Sequence, residues 1–243
     1  MTRVWALICA AIWWTAPADA TCRQALALGL DVSGSVDAVE YRLQLDGLAT
    51  ALTDPEVQEA FLQFPQAPVR LMIYEWSGFR HQREVIGWRE ITASDQLNKV
   101  ANTLRQTASV KIDDPATAIA AALLYGADAL AQNSECWQRT LDISGDGPAN
   151  FGVHPGDLKD ERLDQITVNA LVIGPQNRSN TTKNLKNVKT LESYFQAFVI
   201  HGPGAFAEVA VDYPDFAQAM KRKLIRELDA PVLSRQGPLP RLN

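Results

Sequence analysis

A short motif of oxygen-bearing side chains, Asp31-Val-Ser33-Gly-Ser35, has the composition of a divalent-cation site. An aspartate followed by hydroxyls two and four residues later places three oxygen ligands on one tight loop. Thr117 and Asp146 offer two more oxygen groups from other parts of the chain. Hard cations such as Mg²⁺ prefer oxygen ligands, at about 2.0–2.1 Å. We therefore expect Asp31, Ser33, Ser35, Thr117 and Asp146 to converge on one Mg²⁺, Mn²⁺ or Ca²⁺ ion.

Each of these residues also has a purely structural interpretation. Aspartate and serine are common caps where a strand turns into a helix, so the first motif could only close a loop. Asp146 is flanked by two glycines and could be a turn residue. Thr117 could cap the helix that follows it, and Thr107 is a weaker candidate for the same metal-binding role. The presence of fitting ligands on three separate loops favours the metal site.

The elements that must position these groups alternate between strand and helix patterns. Predicted strands cover residues 25–30, 69–76, 84–91, 139–144, 167–173 and 206–211, and the strand at 84–91 is predicted to lie at a sheet edge. Predicted helices cover residues 41–52 after a cap at Asp37, 94–107, 117–131, 157–165, the second half of 185–198, and 216–228 after a cap at Asp212. Pro55 and Pro65 interrupt the connection between the first helix and the second strand. Lys221, Arg222 and Lys223 are interpreted as a solvated face of the last helix.

This alternation predicts an α/β fold, a doubly wound and mostly parallel sheet with helices on both faces. In such sheets, ligands bind at the carboxyl ends of the strands. Asp31 and Asp146 each follow a predicted strand directly, so both are expected at that edge.

The ends of the chain are predicted to lie outside the folded domain. Residues 1–20 have the features of a secretory signal peptide, with Arg3, an apolar run of eleven residues and a small-x-small site at Ala18-Asp-Ala20. An uncleaved membrane anchor and a lipoprotein attached at Cys22 are the alternatives. Residues 21–229 form one predicted domain, and residues 230–243 a flexible tail. We expect a periplasmic or secreted protein with no membrane span in the mature chain.

Composition and motif content argue against nucleic-acid binding and catalysis. The net charge is −5 and no long basic run is present, so phosphate neutralisation is disfavoured. The three histidines, His81, His154 and His201, lack ligand spacing and are interpreted as structural or surface residues. A phosphatase of the haloacid dehalogenase type would need an aspartate where Ser33 stands, and no Gly-x-Ser-x-Gly elbow is present. We therefore do not expect an enzyme; a phosphatase-like hydrolase is the alternative.

The Asp-x-Ser-x-Ser motif, the distant Thr117 and the strand-terminal Asp146-Gly together resemble the metal-ion-dependent adhesion site of von Willebrand A domains. Further segments are similar to a bacterial exported family of uncharacterised von Willebrand A-like proteins: Glu75-Trp-Ser77, Ile143–Pro148, Val168–Ile173, Gly202–Phe206 and Lys223–Glu227. One departure is that Pro115-Ala116 precedes Thr117, and Ala120 follows it, where glycines are often found.

The resemblance implies an exported, metal-dependent protein-binding domain of the adhesion type. Ser33 and Ser35 would bind the cation directly, Thr117 directly or through water, and Asp31 and Asp146 mostly through coordinated waters. A protein partner would supply an acidic residue to an open coordination position. A structural module with a non-functional metal site is a further alternative.

The same resemblance implies a disulfide between Cys22 and Cys136. In the von Willebrand A topology the strands ending at Asp31 and Asp146 are parallel neighbours. Cys22 lies nine residues before the first aspartate and Cys136 ten before the second, so both reach the opposite rim at nearly the same height. Adjacent strands about 4.8 Å apart allow a disulfide, and an exported protein meets an oxidising compartment. Two unrelated thiols are the alternative.

Overall fold

The sheet has six strands in the order β3-β2-β1-β4-β5-β6. A computed structural model describes residues 22–174 and 181–229 of the chain; the predicted signal peptide and C-terminal tail lie outside these residues. Strands β1, β2, β4, β5 and β6 are parallel to one another, and β3 is an antiparallel edge strand paired with β2. The strands are β1 Gln24–Asp31, β2 Val69–Trp76, β3 Gln82–Ile91, β4 Gln138–Gly145, β5 Thr167–Ile173 and β6 Ala207–Ala210.

Helices cover both faces of this sheet, as the strand and helix alternation predicts. They are α1 Ala38–Thr53, α2 Pro55–Leu62, α3 Ser94–Gln106, α4 Ile119–Ala131, α5 Thr181–Phe198 and α6 Phe216–Leu228. One core cluster joins α1, α2, α3 and α6 to one face, and a second joins α4 and α5 to the other. The predicted α/β fold with a doubly wound, mostly parallel sheet is therefore confirmed.

The central strand β1 is buried along its whole length, which explains why it is a continuous apolar run without alternation. Two glycines let the second helical layer approach the sheet closely. A Cβ atom at Gly29 would lie 2.7 Å from the hydroxyl oxygen of Tyr74, and a Cβ atom at Gly126 of α4 would lie 2.9 Å from the same oxygen. That hydroxyl donates a hydrogen bond of 2.8 Å to the carbonyl oxygen of Ala122. The glycines thus let α4 pack closely against β1 and β4.

The helices differ from the prediction in two places. Residues 157–165 do not form a helix: a 3₁₀ turn at Pro155–Asp157 is followed by turns in which the Asp160 side chain accepts a hydrogen bond from the Arg162 backbone. Local aspartate bonding of this kind competes with helical hydrogen bonds. Conversely, α2 was not predicted, although Asp54 caps it and Pro55 occupies its first turn. Proline is well suited to that position, so Pro55 begins a helix within the connection between α1 and β2.

The amino edge of the sheet is closed by a covalent bond and a buried arginine. Cys22 and Cys136 form a disulfide with their Cα atoms 4.7 Å apart, as predicted. Arg23 is buried, and its guanidinium donates to the carbonyl oxygens of Ala60 in α2 and Leu228 in α6. These contacts bind the carbonyl ends of two helices beside the disulfide. Among the described residues, no helix combines the length and apolarity that a bilayer crossing requires.

The interpretation of Lys223 as a solvated residue is wrong. Lys221 and Arg222 do form surface ion pairs, but Lys223 is fully buried between α6 and the sheet. Its ammonium lies 2.6 Å from Glu227 Oε1 and 2.7 Å from Asp142 Oδ2. Charge alone suggested a solvent-facing residue, whereas two buried carboxylates, Asp142 on β4 and Glu227 one turn later on α6, pair with this lysine in the interior.

Candidate metal centre

The loop after β1 brings four of the five predicted ligands into one chain of contacts. The Ser33 amide donates a hydrogen bond of 2.8 Å to Asp31 Oδ1, which fixes the turn of the loop. The hydroxyls of Ser33 and Ser35 lie 3.2 Å apart, and the Ser35 hydroxyl donates to Asp146 Oδ1 at 2.6 Å. Oxygen atoms from the ends of β1 and β4 therefore meet at the carboxyl edge of the sheet, where the sequence predicts them.

Asp31 is the most constrained member of this group. Its side chain is fully buried, and its Oδ2 atom has no hydrogen-bond donor among the described residues. Burial, and after it the nearby carboxylate of Asp146, raise the pKa of Asp31 to about 7. A buried carboxylate oxygen without a partner is costly unless a cation or a water bound to one occupies the position it faces. The local chemistry thus fits a cation site.

Thr117 reaches the same edge through its backbone rather than through a side-chain hydrogen bond to the other four residues. Its amide donates to Asn150 Oδ1 at 2.8 Å, and the Asn150 amide donates to the Thr117 carbonyl oxygen at 3.1 Å. On the other side of the segment, the Gly34 amide donates to the Pro115 carbonyl oxygen at 2.8 Å. The Thr117 segment is therefore fastened to both loops that carry the other ligands, and the departure at Pro115 forms one of these contacts.

A layer of buried polar residues beneath the site was not predicted from the sequence. Gln44 of α1 donates to the carbonyl oxygen of Asp31 at 2.9 Å and accepts a hydrogen bond of 2.9 Å from the Ser144 hydroxyl. Tyr213, which precedes α6, donates to Asp146 Oδ2 at 3.2 Å. These hydrogen bonds hold Asp31 and Asp146 in place from the interior of the protein. A polar residue inside the apolar pattern of α1 or β4 is the signal that could have indicated Gln44 and Ser144.

The donor set is all oxygen, with two carboxylates and three hydroxyls. No group of three or more histidine, cysteine, aspartate or glutamate side chains with metal-site geometry occurs in residues 22–174 and 181–229. Soft transition metals prefer sulfur and nitrogen ligands, whereas Mg²⁺, Mn²⁺ and Ca²⁺ prefer oxygen. His154 packs edge-on against Tyr194 and Phe198 instead, with ring centroids 5.6 and 4.8 Å away.

Solved structures with similar folds include surface and adhesive proteins. A mussel byssus protein, proximal thread matrix protein 1, has been solved with zinc in its metal-ion-dependent adhesion site (MIDAS) motif. It is 12% identical, with a TM-score of 0.53 over 86% of this chain and 47% of that chain. The pilus adhesin SpaC of Lactobacillus rhamnosus GG in its open conformation is 13% identical, with a TM-score of 0.53 over 85% and 30%. The PilB minor pilin of Streptococcus sanguinis is 11% identical, with a TM-score of 0.53 over 88% and 63%.

These identities establish a shared fold, and the chain spans less than two thirds of the length of each of these proteins. No curated protein matches the chain. Residues 21–232 match the family described as a protein of unknown function, DUF1194. The sheet order, the two helical layers and the similar structures agree with the resemblance drawn from the motifs. The chain belongs to this family of unknown function, and its fold is that of a von Willebrand A-like domain.

Proposed function

We propose that this chain is a metal-dependent protein-binding domain that presents a divalent cation to a carboxylate of its partner. The observation that carries the proposal is the contact chain from Ser33 through Ser35 to Asp146, next to the unpaired buried oxygen of Asp31. Serine hydroxyls are neutral ligands, so a cation held by Ser33 and Ser35 keeps most of its charge. Such a cation attracts an external carboxylate strongly, because the carboxylate oxygen replaces only a bound water.

In this proposal Ser33, Ser35 and Thr117 hold the cation, and Asp31 and Asp146 orient its waters. The exposed position of Ser35 and the half-buried position of Asp146 leave the outer side of the site open to a partner. The mussel protein with an occupied MIDAS motif and the pilus adhesin support the assignment as proteins of similar fold. Mg²⁺ is the proposed ion, with Mn²⁺ and Ca²⁺ as substitutes, because the donor set is all oxygen.

The proposal makes the chain a binding protein and not an enzyme. The Ser33 and Ser35 hydroxyls contact each other and a carboxylate rather than a histidine that could act as a base. We further propose that the protein acts outside the cytoplasm, in the periplasm or after secretion. The disulfide between Cys22 and Cys136 supports this location, since such bonds persist in oxidising compartments.

Titration calorimetry with MgCl₂ tests the metal site directly. We expect the wild-type protein to bind Mg²⁺ and the Ser33→Ala variant to lose at least about 10-fold in affinity, because one neutral ligand is removed. Ser193→Ala is the matched control, since Ser193 is an exposed serine on α5. Equal Mg²⁺ binding by wild type and Ser33→Ala would contradict the assignment.

The partner carboxylate is tested by a second measurement. Proteins crosslinked to the wild-type chain in intact cells are compared in MgCl₂ and in chelator, and against Asp31→Ala. We expect the specific crosslinks to depend on the cation and on Asp31. Crosslinks of equal intensity in chelator would remove the cation from the interface.

A further inference from the structure

Large apolar side chains are exposed around the proposed metal site. Val39 and Phe79 are each 64% exposed, Phe151 is 54% exposed and Val153 is 53% exposed. They lie at the start of α1, on the turn between β2 and β3, and on the connection after β4, which all adjoin the carboxyl ends of strands. Several large apolar side chains exposed at one edge of a soluble domain point to a binding surface.

Backbone hydrogen bonds connect the loops that carry the two phenylalanines. The Gly78 amide donates to the Asp114 carbonyl oxygen at 3.0 Å, and Phe79 is the next residue. At the other end of the same segment, Asn150 bonds to both backbone groups of Thr117, and Phe151 follows it. Phe79 and Phe151 therefore lie next to opposite ends of the short segment from Asp114 to Thr117. The two exposed phenylalanines thus adjoin the segment that carries the proposed cation ligand Thr117.

The charged residues at this edge limit how acidic the surface of a partner can be. Asp37 is exposed on the loop before α1 and Glu40 lies in the first turn of α1, whereas Asp113 is paired with Lys111 at 3.0 Å. Asp37 and Glu40 repel a strongly acidic surface, whereas the proposed cation attracts one carboxylate locally. Both described ends of the chain lie at the opposite edge, where Arg23 bonds to the carbonyl oxygen of Leu228. Among the described residues, the four apolar side chains are more than half exposed.

We propose that the surface formed by Val39, Phe79, Phe151 and Val153 binds a protein segment with one acidic residue flanked by aromatic or aliphatic residues. The proposal rests on the proposed function, because the carboxylate binds the cation beside Thr117. The apolar neighbours of that carboxylate pack against Phe79 and Phe151 on either side. The cation thus supplies the anchor, and the two rings select among acidic segments.

An array of synthetic 12-residue peptides, each with a fixed central aspartate and varied flanking residues, tests the proposal. The purified protein is applied in MgCl₂ and in chelator. We expect Mg²⁺-dependent binding to peptides with aromatic or aliphatic residues within about three positions of the aspartate. Phe79→Ala and Phe151→Ala should each weaken binding of the best peptide at least about 10-fold. Trp137→Ala is the matched control, because Trp137 is 50% exposed at the start of β4, on the opposite edge.

The outcomes separate this inference from the proposed function. The absence of any aspartate-dependent binding in MgCl₂ would overturn both. Aspartate-dependent binding without preference for apolar flanks, or with unchanged affinity in both phenylalanine variants, would overturn only the apolar selection. Sedimentation of the wild-type protein as a dimer that Phe79→Ala dissociates would instead identify a second copy of the chain as the occupant and overturn the proposal. Circular dichroism of each variant confirms that these exposed substitutions leave the fold intact.

Discussion

Replacing Lys223 with methionine removes the ammonium group from a fully buried cluster between α6 and the sheet. In the wild-type protein this ammonium contacts Glu227 and Asp142, and Asn169 donates a further hydrogen bond of 2.7 Å to Glu227. Neither oxygen of Asp142 has another well-aligned donor among the described residues. Methionine has a similar apolar stem but leaves two buried carboxylates without a cation. Removal of one partner from a buried ion pair costs about 3–5 kcal/mol of unfolding free energy, which is the expected loss.

The loss should depend on pH, because a buried carboxylate without a cation must take up a proton. Already in the wild-type protein, burial raises the pKa of Asp142 to about 7, with Lys223 opposing the rise and Glu227 adding to it. The folded pKa lies above the ordinary value of 3.8, so the stability that Asp142 contributes is fully present below about pH 4. It is lost as the pH rises through 7. A shift of this size corresponds to at most about 4 kcal/mol.

Urea denaturation followed by circular dichroism at pH 5 and pH 8 measures both effects. We expect Lys223→Met to be destabilised at both pH values and more so at pH 8. Asp142→Asn should lose less stability than wild type between pH 5 and pH 8. The titration of Asp31 is common to both proteins and cancels in that comparison. Lys99→Met is the control, because Lys99 is an exposed residue paired with Asp95 on the surface of α3, and its replacement should leave stability nearly unchanged.

Two results would refute this reasoning. A loss below about 1 kcal/mol for Lys223→Met at both pH values would show that the ammonium does not neutralise the buried carboxylates. An equal pH dependence of wild type and Asp142→Asn would show that Asp142 does not titrate in this range. Adding Asp142→Asn and Glu227→Gln to Lys223→Met should recover part of the lost stability, since the buried negative charges are then removed together with the cation.

Three further predictions follow from the described contacts. Replacement of Cys22 and Cys136 by serine should lower the unfolding free energy by up to about 5 kcal/mol, because the disulfide closes a loop with a sequence separation of 114; thiol titration of the unreduced wild-type protein should detect neither of them as a free thiol. Asn150→Ala should weaken Mg²⁺ binding in calorimetry by about 10-fold without unfolding the protein, since the side-chain oxygen that accepts a hydrogen bond from the Thr117 amide is lost. Gly126→Ala should destabilise the protein by about 1–3 kcal/mol in thermal unfolding, because the new methyl group would overlap a side chain of β4; an unchanged midpoint would contradict the close approach of α4.

Some features of the site follow directly from residue type and spacing. Asp31, Ser33 and Ser35 follow an apolar run, and the loop after a buried parallel strand must lie at the carboxyl edge of the sheet. The same rule places Asp146 there, and the structure joins Ser35 to it by a hydrogen bond. Their roles as metal ligands remain a prediction that the calorimetry tests. The disulfide could likewise be predicted once the resemblance to von Willebrand A domains supplied the strand order, because rise per residue is nearly constant in strands.

Local patterns were insufficient where two alternatives had similar local free energies. Pro55 is equally compatible with a connection and with the first turn of a helix, and packing of α2 against α6 favours the helix. Residues 157–165 have an amphipathic pattern, but hydrogen bonds of the Asp160 side chain stabilise turns instead. Whether such a segment forms a helix depends on tertiary contacts, which the helical spacing of apolar residues does not reveal.

The sequence by itself determined the positions of the six strands along the chain, the oxygen character of the site and the edge of the sheet where that site lies. These follow from hydrophobic periodicity and from residue chemistry, which act over a few neighbouring positions. Only the tertiary structure decided the partners of buried polar groups. Lys223 pairs with Asp142 across 81 positions, and Asn150 holds Thr117 across 33. Such partners are chosen because a buried charge or amide must be satisfied by whatever group folding brings beside it, however far away that group is in sequence.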